Sequence, residues 1–220
     1  MMPPPSPRVY LVTDPALLGP PPGREARLAA LVAGAVAGLP ARAVAVQLRA
    51  KDLGGRDLLT LARALRAVLD AAGQMLLVND RLDVALAAGA AGVHLPWRGV
   101  PPGEARRLLG PAALLGVSCH SAEEVRRARD GGADFATFGP VFDTPSKRAY
   151  GAPVGLAALR GAAELGLPLL GLGGVDVARA PSVIAAGAFG VAAIRAWLAA
   201  SDPGQAVRQL LAATGDGRAR

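Results

Sequence analysis

The sequence is poor in aromatic residues and contains a single cysteine. Aromatic residues make up 4% of the 220 residues, whereas hydrophobic residues make up 52%. The apolar content is therefore mostly Ala, Leu and Val, which is typical of helices packed on short parallel strands. Because Cys119 has no second cysteine to pair with, no internal disulfide is possible, and we expect a reduced, cytoplasmic setting.

Long hydrophobic runs and a secretory leader are also missing. No stretch of about 18 uncharged apolar residues occurs, so we expect no membrane-spanning segment. The first residues, MMPPPSPR, lack the apolar core of a signal peptide. The formal charge of +7 comes almost entirely from arginines scattered through predicted helices, without a basic tail or interleaved aromatic residues. This pattern favours anionic small ligands and predicts no nucleic-acid partner.

Short apolar runs alternate with amphipathic or Ala-rich stretches along the whole chain. Because these runs are continuous, they predict strands covered on both faces, as in a parallel sheet. Eight strands, each followed by a helix, predict an α/β fold with a single (β/α)8 TIM-barrel domain over residues 1–220, in which Gly215–Arg220 is a frayed tail. The alternative is an open doubly wound sheet, but the turn VTDPAL after the first strand lacks the glycines of its phosphate loop.

The predicted strands are Val9–Val12, Val44–Leu48, Met75–Val78, Val93–Leu95, Leu114–Val117, Phe135–Phe138, Leu167–Leu172 and Gly190–Ile194. The predicted helices are Arg24–Ala37, Arg56–Ala72, Leu82–Ala88, Gly103–Leu109, Ala122–Asp130, Leu156–Leu165, Val177–Ala186 and Gly204–Ala213.

Residue types that the chain otherwise avoids fall at the ends of the predicted strands. The sequence has two lysines, two histidines and one asparagine: Lys51, Asn79, His94, His120 and Lys147. Each lies at or just after the carboxyl end of a predicted strand. Since those ends form one ring in a barrel, where catalytic residues sit, we predict the active site at this ring.

Gln47, Arg49 and Lys51 are spaced two apart at the end of the second strand. Alternation along a strand predicts that all three point into the barrel. Buried cations require an anion, and a phosphate or pyrophosphate group is the natural partner of Arg and Lys. The alternative is that Lys51 has left the strand and is solvated.

Asn79 and Asp80 follow the third strand. The carboxylate of Asp80 is suited to Mg2+, and the amide of Asn79 to a phosphate oxygen. The alternative is that these residues begin the next helix as its N-cap, a position where Asn and Asp are favoured.

Two hydroxyl groups and a lysine lie together in the loop after the sixth strand: Thr144, Ser146 and Lys147. Such a cluster suits an anionic oxygen, and the loop from Asp143 to Pro153 is long for a strand-to-helix connection, which is typical of a functional lid. The alternative is an ordinary polar turn.

The loops after the last two strands are predicted to bind phosphate. Gly173 and Gly174 follow the seventh strand, and Ile194 and Arg195 follow the eighth. In TIM barrels these two loops often donate backbone N–H groups to a phosphate.

Ser118 and His120 follow the fifth strand, beside the predicted phosphate ring. Histidine can take and return a proton near neutral pH, which makes His120 the candidate general base. Cys119 alternates with these residues and is expected to point away from the site; a Cys–His nucleophile pair is the alternative. We expect His94 to be a packed polar residue, and two isolated histidines do not predict a zinc site.

Taken together, six motifs resemble the thiamine phosphate synthase and TenI superfamily, from about Tyr10 to Ala200. They are QLRAK (47–51), NDR (79–81), AGVHL (91–95), GVSCH (116–120), FGPVFDTPSK (138–147) and GLGGV (171–175). The resemblance implies two related activities. A synthase joins hydroxymethylpyrimidine pyrophosphate to hydroxyethylthiazole phosphate with the help of Mg2+ and releases pyrophosphate. A TenI-type tautomerase aromatises a carboxylated thiazole phosphate by moving one proton, with a histidine as base.

The resemblance also implies roles for individual positions. The pyrophosphate-binding positions match Arg49, Lys51, Asn79 and Lys147, and the pyrimidine or phosphate contacts match Gln47 and Ser118. One Mg2+ ligand matches Asp80, the thiazole-phosphate site matches Gly174 and Ile194, and the tautomerase base matches His120.

Departures from the synthase pattern decide between the two activities. The synthase pattern has a second metal-binding Asp soon after the fourth strand, but this chain reads HLPWRGV there and has no carboxylate before Glu104. One Asp holds Mg2+ weakly, and Arg98 would repel the cation. In addition, Arg195 stands where a synthase usually has Ser, and the loop reads TPSK where the synthase pattern has TxTK.

We therefore predict a thiazole tautomerase that acts through His120 on a phosphorylated thiazole and needs no cofactor. Arg49 or Lys51 would bind the carboxylate of this substrate. The alternative is an Mg2+-dependent thiamine phosphate synthase with Asp80 as its metal ligand. A third possibility is a regulator that binds thiazole or thiamine phosphate without turnover; a homo-oligomer is left open.

Overall fold

Eight parallel strands close into a barrel in the computed structural model, which describes residues 7–20, 22–144 and 152–215. The strands pair in chain order, and the last strand pairs with the first. This arrangement confirms the predicted (β/α)8 fold.

The strands are β1 Val9–Val12, β2 Val44–Leu48, β3 Met75–Asn79, β4 Gly92–Leu95, β5 Leu114–Cys119, β6 Phe135–Phe138, β7 Leu169–Gly171 and β8 Gly190–Ala193. The helices are α1 Arg24–Val36, α2 Gly55–Ala71, α3 Leu82–Ala88, α4 Pro102–Leu109, α5 Ala122–Asp130, α6 Gly155–Ala163, α7 Ala180–Ala185, α8 Arg195–Leu198 and α9 Pro203–Ala213, and a 3₁₀ turn spans Pro15–Leu18.

Each strand buries both of its faces, which explains the continuous apolar runs in the sequence. Outward residues such as Leu11 and Val46 belong to a core shared with the helices, to which Leu65 and Trp197 contribute. Inward residues form a second, smaller core inside the barrel: Tyr10, Val12, Ala45, Met75, Leu77, Leu114, Phe135, Leu170 and Ala192. This inner core closes the barrel from below, so only its carboxyl-terminal end is left for polar groups.

The boundaries of two elements differ from the prediction because of proline and glycine. The helix predicted from Val177 begins only at Ala180, since Pro181 occupies its first turn, where proline is tolerated. The seventh strand ends at Gly171, because the chain turns at Gly173 with a φ of +96°. The short helix α8 was not predicted.

Within the described ranges the longest helix is α2, with 17 residues, and no helix is long and apolar enough to cross a membrane.

Candidate active site

Polar side chains occupy the last inward positions of several strands. Strand pairing places Val12 beside Gln47, Asn79 beside His94, and Ser118 beside Thr137. Because parallel strands all end at the same side of the barrel, these residues share one mouth. Of the rare residues singled out in the sequence, the structure brings Asn79 and His94 together in adjacent strands.

The end of β1 positions Arg49 at this mouth. The backbone N–H of Arg49 donates to Oγ1 of Thr13 at 2.9 Å, and its guanidinium Nη1 lies 4.0 Å from Oδ2 of Asp14. The Arg49 side chain is 30% exposed, so it reaches the rim and remains open to a ligand. Gln47 is buried deeper, and its Nε2 donates to Oη of Tyr10 at 3.3 Å. Sequence reasoning missed Thr13 and Asp14, although they are polar residues at a strand end.

Lys51 does not point into the barrel as the alternation predicts. Strand β2 ends at Leu48, and Lys51 is exposed in the following turn. Alternation therefore no longer fixes its direction, and the solvated alternative describes Lys51 correctly. The neighbouring Asp52 is fixed by Arg24, whose Nη2 lies 2.7 Å from Oδ2 of Asp52. This guanidinium lowers the pKa of the Asp52 carboxyl.

Asn79 and Asp80 do not cap the helix that follows them. Helix α3 begins at Leu82, and its N-cap residue is Arg81, without a side-chain hydrogen bond. Asp80 has a φ of +64°, and its backbone N–H donates to the carbonyl oxygen of His94 at 2.9 Å. A positive φ in a residue other than glycine is uncommon and concentrates at functional sites. The exposed Asp80 carboxylate therefore remains available at the mouth.

These residues fit a cation only if a ligand supplies most of the oxygens. The described part of the chain contains no group of three Asp, Glu, His or Cys side chains that could hold a metal ion. After β4 come Trp97, which lies 5.7 Å from the guanidinium of Arg127, and the exposed Arg98. Mg2+ is often held by one or two carboxylates together with substrate phosphates. Asp80 supplies one carboxylate, which is the minimum number for such a site.

His94 is enclosed inside the barrel. Its ring packs against those of Tyr10 and Phe135, at centroid distances of 5.5 and 5.9 Å, and these two rings also contact each other at 5.3 Å. Its Nε2 lies 3.0 Å from Oγ of Ser118 and 3.4 Å from Oγ1 of Thr137. Burial lowers the pKa of His94 to about 3, so the imidazole is neutral at physiological pH.

His120 lies just beyond β5 and is held by a glutamate. Oε2 of Glu124 accepts the backbone N–H of His120 at 2.5 Å and lies 3.1 Å from its Nδ1. The His120 side chain is 46% exposed, whereas that of Glu124 is only 15% exposed. Such a carboxylate fixes the tautomer of a histidine and leaves Nε2 as the working nitrogen. Sequence reasoning missed Glu124, although its position four residues after His120 was a usable signal.

Cys119 faces the other side of β5. It is 1% exposed and belongs to the outer core, and burial raises the pKa of its thiol to about 12. A Cys–His nucleophile pair is therefore wrong, because the thiol and His120 lie on opposite faces of the chain and the thiolate is disfavoured.

Glycines shape the loop after β7. Gly173 and Gly174 both have positive φ, +96° and +64°. A Cβ atom on Gly173 would lie 2.6 Å from Cα of Pro140, and one on Gly174 would lie 2.8 Å from the carbonyl oxygen of Asp143. The backbone of this loop thus packs directly on the loop after β6, which only glycine allows.

The other predicted site residues lie in the loop after β6 and at the end of β8. Thr144 is half-buried at the end of the described part of the loop after β6, and Ser146 and Lys147 lie outside the described residues. Ile194 is half-buried as the N-cap residue of α8, and Arg195 is exposed in its first turn.

Comparison with known proteins agrees with this architecture. Residues 9–197 match the family described as thiamine monophosphate synthase. A putative thiamine-phosphate synthase from Geobacter sulfurreducens is 51% identical over 205 residues, covering 93% of this chain and 92% of that protein. A thiamine-phosphate synthase from Roseiflexus sp. is 44% identical over 216 residues, covering 96% and 88%.

A solved structure extends the likeness to three dimensions. The thiamine phosphate pyrophosphorylase of Pyrococcus furiosus superposes with a TM-score of 0.80 at 30% identity, covering 94% of this chain and 95% of that one. The resemblance stated from the motifs is thereby confirmed. With its fold, its ring of polar strand ends and these relatives in agreement, the chain belongs to the thiamine monophosphate synthase family.

Proposed function

We propose that the chain is a thiamine-phosphate synthase, which joins hydroxymethylpyrimidine pyrophosphate to hydroxyethylthiazole phosphate. The observation that carries this proposal is that relatives 44–51% identical over more than nine tenths of the chain bear this name. The comparisons do not support the tautomerase that the missing second Asp favoured. A single carboxylate at the mouth does not exclude a synthase, because the pyrophosphate itself supplies ligands to Mg2+.

The proposed pyrophosphate site is formed by the ends of β2 and β3. Arg49, oriented by Thr13 and Asp14, and the amide of Asn79 would bind the leaving pyrophosphate, and Lys51 and Lys147 would add positive charge. Mg2+ held by Asp80 and the pyrophosphate oxygens would neutralise the charge that develops on the leaving group. Deeper in the mouth, Gln47 would contact the pyrimidine-bearing part of the substrate, and Ser118 would contact one of its phosphate oxygens.

The proposed thiazole-phosphate site lies on the opposite part of the ring. The backbone N–H groups of Gly173, Gly174 and Ile194 suit a phosphate, and Thr144, Ser146 and Arg195 would add hydroxyl and guanidinium donors. This placement would bring the thiazole nitrogen and the pyrimidine carbon together over the inner core, where the C–O bond to pyrophosphate breaks and the C–N bond forms. Holding both partners in one orientation supplies much of the rate enhancement.

A direct assay tests the proposal. The protein is incubated with both substrates, with Mg2+ or with EDTA, and thiamine phosphate is quantified. We expect product only with Mg2+, and a loss of about 100-fold or more in kcat/KM for Arg49→Gln, since a charge-assisted contact to the pyrophosphate is removed. The matched control is Arg107→Gln, which changes a 71% exposed arginine on α4. Absence of product at saturating Mg2+ would refute the proposed function.

A second candidate activity rests on the His120–Glu124 pair. With Nδ1 held 3.1 Å from the carboxylate, Nε2 of His120 is oriented to abstract and return a proton, as thiazole tautomerisation requires. We expect this tautomerase activity to persist in EDTA and to be lost in His120→Asn. Tautomerisation that is unchanged in that variant would exclude His120 as the base.

A further inference from the structure

The barrel interior has space for the His94 ring because the neighbouring residue, Gly116, has no side chain. Gly116 lies beside His94 in the neighbouring strand, and a Cβ atom at Gly116 would come within 2.5 Å of both Nδ1 of His94 and the Phe135 ring. Only glycine therefore leaves room for the imidazole at this level. With the ring packed against Tyr10 and Phe135, Nε2 is directed towards Ser118 and Thr137.

The hydrogen bonds around His94 favour one of its two neutral tautomers. Nδ1 is buried and has no hydrogen-bond partner, whereas Nε2 lies 3.0 Å from Oγ of Ser118. A buried N–H without an acceptor is rarer and more costly than an unused acceptor lone pair. The proton therefore belongs on Nε2, which donates it to Oγ of Ser118.

This tautomer determines what the Ser118 hydroxyl can do. When Oγ accepts from His94, its own hydrogen is free to be donated elsewhere. Ser118 is half-buried on the inward side of β5, whereas His94 is 1% exposed, so the hydroxyl stands between the histidine and the open mouth. A hydroxyl that would otherwise rotate freely is thus fixed as a donor towards the mouth.

We propose that His94 is a positioning residue that acts through Ser118: it holds the Ser118 hydroxyl as a hydrogen-bond donor to an anionic oxygen of the pyrophosphate-bearing substrate. This inference rests on the proposed function, because it assigns a pyrophosphate ligand to the mouth. His94 itself touches no substrate. The role extends the site one layer below the residues that are proposed to bind the substrate.

A double-mutant cycle tests the coupling. His94→Leu, Ser118→Ala and the double variant are compared with the wild type for kcat, for KM of the thiazole phosphate, and for the affinity of inorganic pyrophosphate measured by calorimetry. We expect His94→Leu to lower kcat and pyrophosphate affinity about tenfold, with little change in that KM. In the Ser118→Ala background the same change should have less than about a twofold effect. Equal effects in both backgrounds would overturn the proposal, since a merely structural histidine does not depend on Ser118.

A conservative variant and the wild-type spectrum complete the test. His94→Gln places an amide N–H near the position of Nε2, and we expect it to recover most of the loss seen in His94→Leu; no recovery argues against a donor role. Nitrogen-15 NMR of the wild type should show the proton of His94 on Nε2, and the spectrum of His94→Gln assigns the signal because the chain has two histidines. A proton on Nδ1 would overturn the proposal even if His94→Leu failed to fold.

The outcomes separate the positioning role from the proposed function. If the wild type forms no thiamine phosphate but its pyrophosphate affinity shows the coupling, the function is wrong and the role of His94 stands. If thiamine phosphate forms and the effects are additive, the function stands and the role of His94 is wrong. A wild type that neither turns over nor binds pyrophosphate contradicts both.

Discussion

Two consecutive residues of β5 illustrate how one strand carries two kinds of chemistry. Ser118 faces the polar mouth and contacts His94, whereas Cys119 is 1% exposed among the apolar side chains of the outer core. Because side chains alternate along a strand, residues one apart can have opposite environments. A reactive group and an inert one therefore lie side by side in the sequence.

Cys119 should not react with thiol reagents in the folded protein. Burial raises the pKa of its thiol to about 12, so the reactive thiolate is scarce at pH 8, and the side chain is covered by the outer core. We expect labelling by a disulfide reagent only after guanidinium is added. A Ser201→Cys variant, with its new thiol at an exposed position, is the matched positive control. Labelling of Cys119 at the rate of that thiol would contradict the prediction.

Gly174 should tolerate no side chain. Its φ of +64° and the carbonyl oxygen of Asp143, 2.8 Å from a Cβ position, make Gly174→Ala strained. We expect the free energy of unfolding to fall by about 1–3 kcal/mol and the KM for the thiazole phosphate to rise. Gly161→Ala, inside α6 with no atom within 4 Å of its Cβ position, should instead stabilise by about 0.5–1 kcal/mol. Urea unfolding and steady-state kinetics measure both effects, and equal behaviour of the two variants would refute the argument.

The sequence predicted the presence of the strands more accurately than it predicted the residues at which strands and helices begin and end. Continuous apolar runs located all eight strands, because burial on both faces leaves no other pattern. Ends depended on local events: β2 stops at Leu48, so alternation misplaced Lys51, and Pro181 delays α7. The strand-end residues Gln47, Asn79 and Ser118 could be predicted from type and spacing. Glu124 was missed, although the start of α5 at Ala122 was predicted and the spacing of four residues from His120 was a usable signal.

Asp80, in the turn between β3 and α3, should determine the Mg2+ concentration that turnover requires. Asp80 supplies an exposed carboxylate from a residue with positive φ, and the described residues offer no cluster of metal ligands around it. We expect Asp80→Asn to raise the Mg2+ concentration for half-maximal turnover about tenfold or more, with an unchanged melting temperature. Asp83→Asn is the matched control, because Asp83 is an exposed carboxylate three residues away that pairs with Arg81. An identical Mg2+ requirement in wild type and Asp80→Asn would rule out this ligand.

The stability of the whole molecule should depend on pH through His94. Its pKa is about 3 in the folded protein and about 6.5 when unfolded, so below pH 6.5 the unfolded chain binds more protons. Stability is therefore present above pH 6.5 and is lost, at about 1.4 kcal/mol per pH unit, as the pH falls towards 3.

Replacing the histidine should remove that dependence. Between pH 6.5 and 5 we expect the stability advantage of the wild type over His94→Gln to shrink by about 2 kcal/mol, measured by urea unfolding at both pH values. Ser118→Ala retains the histidine and should keep the wild-type slope. Parallel pH profiles for wild type and His94→Gln would contradict the assignment.

The closed sheet also explains how one position of the mouth can change while the others persist. The backbone ladder holds the strands together, and Gln47, Asn79 and Ser118 each stand on a different strand. The segment Pro96–Val100 after β4 carries Trp97 and Arg98 and no acid, yet the neighbouring strand ends keep their register. The register belongs to the strands, and each connection is a separate segment of the chain. The side chains of one connection can therefore be replaced without moving the residues that the other strand ends carry.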